Sequence, residues 1–123
     1  MRKLIALPVV TALLLPATAQ AMTVKEFLAK TDALKAQGLL AMTSPDIGLL
    51  RDEIKSAGAT YRAGLAREIA AGRKPSSCPP PVGQVKMTSD DIIKEFRAIP
   101  EAKRNQSVTS AWATIMTRRH PCR

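Results

Sequence analysis

One apolar stripe constrains this chain more than any other feature. Ile47, Leu50, Ile54, Ala57, Tyr61, Leu65 and Ile69 follow one another at spacings of three and four. That is the repeat of one face of an α-helix, and it cannot be laid on the alternating faces of a strand. Ser44-Pro45-Asp46 precedes the stripe. Serine can cap a helix, proline suits its first position, and aspartate complements the positive end of its dipole. The predicted helix runs from Pro45 to about Ala71, with Gly72 as its stop. Gly58 and Gly64 lie inside it, each weakening a helix by about 1 kcal/mol relative to alanine. They are read as places where a neighbouring helix comes close. The opposite face carries Arg51, Lys55, Arg62 and Glu68, an ordinary solvated set.

The flanking sequence extends the helical pattern. Thr23-Val24-Lys25-Glu26 has the form of a capping box, and Val24, Phe27, Leu28, Thr31 and Leu34 then share one face. This first helix is expected to end near Gly38, with Leu39, Leu40 and Met42 tucked under the second helix. Residues 73–87 read as a loop, because Pro75, Pro79, Pro80, Pro81 and Gly83 deny it regular structure. Thr88 opens a third helix with Asp90 and Asp91 in its first turn and Ile92, Ile93, Phe96 and Ile99 on its buried edge. Pro100 ends that helix. A last helix is predicted at or soon after Pro100, with Ala102, Val108, Ala111, Trp112, Ile115 and Met116 on its apolar face. Arg118 and Arg119 fall near its carboxyl end, and His120-Pro121-Cys122 stops it. With aromatics at 3% and no convincing alternating segment, the expected fold class is all-α, a small bundle of about four helices.

The amino terminus has the layout of a secretory leader. Met1-Arg2-Lys3 is basic, Leu4 to Leu15 is almost wholly apolar, and Ala19-Gln20-Ala21 offers small residues for cleavage. The apolar run is shorter than the roughly 20 residues that span a bilayer, and Pro8 and Pro16 punctuate it. The expectation is a signal peptide over residues 1–21, a single helical domain over residues 22–123, and a periplasmic address. The leader holds two of the 19 basic residues and no acid, so the mature chain keeps 17 basic against 10 acidic residues, a net of +7. In an exported protein that excess argues against nucleic acid, and it reads either as solvated helix faces with a basic bias or as a surface for an anionic partner. Cys78 and Cys122 are the two cysteines, and an exported chain with two thiols most simply forms one disulfide. The loop so closed counts 45 residues with both ends included.

Little in the chain suggests chemistry. His120 is the single histidine and sits at a helix end. Ser44, Ser56, Ser76, Ser77, Ser89, Ser107 and Ser110 lack a nucleophile-elbow setting. Asp90 and Asp91 are adjacent, so on a helix they diverge rather than pair. Two cysteines and one histidine are too few for a metal centre, and no Cys-x-x-Cys or glycine-rich phosphate loop appears. The expectation is a binding protein: no catalytic residues, no metal, no cofactor.

The carboxyl-terminal half adds a pattern. Cys78-Pro79-Pro80 and Gly83 are followed by Ile92, Ile93 and Phe96, then Ile99-Pro100 and Arg104, then Val108, Ala111 and Met116 into Pro121-Cys122. Over residues 77–122 this resembles the Rap/Tai kind of immunity protein, which protects bacteria from type VI-secreted peptidoglycan amidases. The resemblance implies a small exported helical protein, often a homodimer, bridged between Cys78 and Cys122. It implies a role in blocking an amidase by direct binding. The amidase-facing surface is expected at the loop carrying Arg73, Lys74 and Lys86. The competing expectation is a structural or stress protein of the envelope that binds anionic surfaces through its net charge.

Overall fold

The computed structural model describes residues 21–123. The leader expectation lies outside the described residues except at Ala21. Within them the fold is all-α. Helices α1 (Val24–Gln37), α2 (Pro45–Ala70), α3 (Ser89–Arg97) and α4 (Val108–Arg119) are joined by irregular chain and two short 3-10 segments, Gly38–Thr43 and Glu101–Lys103, with no strand among the described residues. Cys78 and Cys122 form a disulfide, with Cα atoms 4.9 Å apart. No helix among the described residues is long and apolar enough to cross a membrane.

Each helix starts where its local chemistry satisfies the free amide groups of the first turn. Thr23 and Glu26 close a reciprocal capping box on α1, as Thr88 and Asp91 do on α3. Ser44 caps α2 with Pro45 at the first position. At α1 a second segment helps. The amides of Val24 and Lys25 donate to the carbonyls of Gln106 and Arg104 at 3.0 and 2.9 Å. The Val108 amide returns a bond to Met22 at 2.9 Å. The approach to α4 is thereby sewn onto the start of α1, and three otherwise orphaned donors find partners.

The core gathers one stripe from each helix. Val24, Phe27 and Leu28 of α1, Leu50, Ala57, Tyr61 and Leu65 of α2, Phe96 of α3, and Val108, Ala111, Trp112, Ile115 and Met116 of α4 are buried together. Phe27 and Phe96 meet edge to face with centroids 5.1 Å apart, which fixes α3 against α1. The principal helix pair is α2 with α4, whereas α3 rests on α1.

Four expectations need correction. Leu39, Leu40 and Met42 do not tuck under α2; they are 88, 75 and 79% exposed. Gly38 turns the chain at φ +58°, and the 3-10 segment that follows projects into solvent. Ile69, in the last turn of α2, lies 60% exposed. The last helix starts at Val108, not near Pro100. Ser107 caps it, and Ala102 is exposed in a 3-10 turn. The two mid-helix glycines of α2 mark no tight approach. A Cβ on Gly58 would reach the Trp112 side chain only at 3.9 Å, and one on Gly64 meets only Arg67 of its own helix.

Candidate functional site

Two surface regions combine exposure with definite construction, and they lie at opposite ends of α2. The first is the proline-rich loop of residues 73–87. Its anchors begin at Ser77, which is 1% exposed. The Ser77 hydroxyl donates to the His120 carbonyl at 2.9 Å and lies 2.6 Å from the Tyr61 hydroxyl. Serine has one proton, so the Tyr61 hydroxyl donates to Ser77, and a relay runs from α2 through the loop to the end of α4. Next to it the Cys78 amide donates to the same His120 carbonyl at 2.8 Å. The Cys78–Cys122 bond closes the arrangement covalently.

Two side chains expected on a plain solvated face also hold this loop. Arg62 donates to the Pro80 carbonyl at 2.7 Å. Glu68 accepts from the amide and hydroxyl of Ser76 at 2.7 and 3.0 Å. A stretch that prolines keep from pairing regularly with itself is therefore fixed by side chains of α2. On this frame Arg73, Lys74 and Lys86 are all exposed. None of the three makes an ion pair within 4.0 Å among the described residues. Arg73 and Lys74 leave the end of α2 together. Lys86 lies across the Gly83 turn, between Val85 and Met87, which lean on the core. His120 contributes its backbone carbonyl, and its Nε2 is buried without a partner.

The second region was not visible in the sequence. Between α1, the amino-terminal half of α2 and α3 lies an open groove of about 420 Å³. Phe27 and Leu34 of α1, Ile47, Leu50 and Ile54 of α2, and Ile93 of α3 give it an apolar floor. Lys35, Arg51 and Lys55 stand among its lining residues, and no acidic residue does. The groove exists because each neighbour is held elsewhere. Phe96 and an Arg97–Asp32 ion pair fasten α3 to α1. Lys30 reaches Asp46 at 3.2 Å and ties α1 to the start of α2. The principal partner of α2 is α4, and Ile47, Leu50 and Ile54 near the start of α2 line the opening beside α1 and α3. The available signal was the pair Arg51 and Lys55, flanking Ile54 at helical spacing. Such a pair reads as solvated unless the helix missing from that side is known.

Among the described residues no group of three or more metal-ligating side chains converges. The electrostatics concentrate on α3. The Arg97 guanidinium bonded to Asp32 holds that carboxyl below the usual range, and the Thr88 amide and hydroxyl do the same for Asp91. Burial pushes Glu95 up, but the bonds from Arg119 and Arg118 outweigh it, and the net shift is downward. Asp32 and Glu95 fasten α3 to α1 and α4 and Asp91 closes the cap of α3, so none of the three carboxyls forms an ion pair with a cation of either candidate surface. Compared with known proteins, this chain matches no family model, no curated protein and no solved structure.

Proposed function

We propose that the chain is an exported binding protein that neutralises a peptidoglycan amidase of the type VI-secreted kind by direct contact through the loop of residues 73–87. One observation carries the reading. A proline-rich segment bearing three exposed cations is locked by the Cys78–Cys122 bond and by the Ser77, Arg62 and Glu68 contacts. A recognition loop ordered in advance loses little conformational freedom when a partner docks, which is how a small protein binds tightly. The pattern from Cys78 to Cys122 supplies the class of partner, and the leader-like amino terminus supplies the compartment.

The test is a mixture of the purified protein with exported amidases encoded alongside it, read by complex formation and by peptidoglycan cleavage. A stoichiometric complex with loss of cleavage is expected. Reversing charge at Arg73, Lys74 and Lys86 together should weaken it by about tenfold or more. No complex and undiminished cleavage would remove the reading. Retention on isolated cell wall or anionic lipid that vanishes as salt rises, with no amidase complex, would favour the general envelope role instead.

A further inference from the structure

We propose that the groove between α1, α2 and α3 binds a single-chain anionic amphiphile, an alkyl chain ending in a carboxylate, sulfate or phosphate, taken up as a dissolved monomer. Its volume of 420 Å³ lies within the range of about 300–1,000 Å³ typical of small-molecule sites. The floor is hydrocarbon. Thr31 and Ser89 are its uncharged polar lining residues, and the Thr31 hydroxyl already donates to the Phe27 carbonyl at 2.9 Å. An extended peptide laid there would leave amide and carbonyl groups without partners, at a cost of several kcal/mol. An alkyl chain has no such groups and gains only from leaving water.

The rim selects the head. Lys35, Arg51 and Lys55 are exposed, and none pairs with an acid within 4.0 Å among the described residues. Arg51 and Lys55 lie one turn apart on α2, on the same side as Leu50 and Ile54 of the floor. Three cations without a close ion pair, beside an apolar trough, match a chain with one anionic end and repel a chain with a cationic one. The groove is served by the amino-terminal half of α2, and the loop of residues 73–87 by its carboxyl-terminal half. The two sites are therefore separable.

The experiment is calorimetric titration of the intact oxidised protein with dodecanoate, with dodecyltrimethylammonium, and with vesicles of anionic phospholipid, the first two below their micelle-forming concentrations. One-to-one uptake of dodecanoate is expected, with binding of the cationic homologue weaker by about tenfold or more. The charge-reversed variant Lys35→Glu/Arg51→Glu/Lys55→Glu should lose a similar factor for dodecanoate while keeping its helical circular dichroism and its amidase complex. The wild-type comparison of the two head groups needs no variant, so a misfolded variant cannot shelter the idea. Equal binding of both amphiphiles, or unchanged binding by the folded variant, overturns it. Response to vesicles alone overturns it in favour of a membrane-surface contact. A stable dimer that refuses dodecanoate overturns it in favour of a second copy seated on the groove.

Discussion

Ser77 shows how much one small polar residue can hold. In the sequence it is one of seven serines, with nothing to distinguish it from Ser76. In the fold it is almost fully buried and links the Tyr61 hydroxyl to the carbonyl of His120, the residue that caps α4. Removing one member of such a relay does more than delete a bond, because the partner left behind keeps its desolvation cost. Ser77→Ala strands the Tyr61 hydroxyl and should destabilise the protein by about 1–3 kcal/mol in urea unfolding. Tyr61→Phe in the same background should add little, since the group that suffered is already gone. Independent, additive losses from the two substitutions would show that the relay is absent. No pattern of spacing could have marked Ser77, since its partners lie 16 and 43 residues away.

Among the elements, α3 is the one most dependent on charge. It spans nine residues, too few to be stable alone, and it buries one residue fully, Phe96. Beside the partly buried Ile92 and Ile93, its attachments are carboxylates: Asp91 in its own cap, Glu95 with Arg118 and Arg119 of α4, and Asp32 of α1 with Arg97. All three carboxyls are held below their ordinary range in the folded protein. A depressed folded pKa means stability that is complete above the unfolded value, near pH 4, and is lost as pH falls through the lower folded value. The urea midpoint should therefore hold steady from pH 7 to about 5 and decline below about 4. Glu95→Gln should cost about 1 kcal/mol or less at neutral pH and flatten part of that decline. A midpoint independent of pH between 5 and 2 in the native chain would contradict this account. The starts of α1, α2 and α3 were legible because a cap is a local device, set by residues within three positions. The start of α4 was misplaced because Pro100 is a good first helical residue, while Ser107 lacks the acid three positions later that completes a capping box. The exposure of Leu39, Leu40 and Met42 was not legible, because it depends on where Gly38 aims the chain.

For the molecule as a whole, what the sequence withheld is which helix covers which stretch of the long stripe. Periodicity shows that a face is apolar but not that Ala57, Tyr61 and Leu65 enter the shared core while Ile47 and Ile54 line an open groove. The disulfide lies at the covered end. It closes the chain from Cys78 to Cys122, enclosing α3 and α4, while α1 joins that closed unit through the Met22–Val108 and Val24–Gln106 bonds. On the chain-entropy account a loop of this length is worth about 4 kcal/mol, a large share of the roughly 5–15 kcal/mol typical of a small domain. Reduction, or the double variant Cys78→Ser/Cys122→Ser, should lower unfolding free energy by about 2–4 kcal/mol. The helices should survive at moderate temperature, because the α2–α4 core does not depend on the bond. What should fail first is the order of the loop. The loop and the tail would then be held to each other by the hydrogen bonds at Ser77 and His120, and the loop to α2 by those at Arg62 and Glu68, so protease nicking within residues 73–87 should accelerate before helical signal is lost. If the loop is the amidase-binding surface, the reduced protein should also release its partner while dodecanoate uptake at the far end of α2 is unchanged. Simultaneous loss of helix, loop protection and groove binding on reduction would show instead that the bridge sustains the whole fold and that the two ends of α2 are not independent.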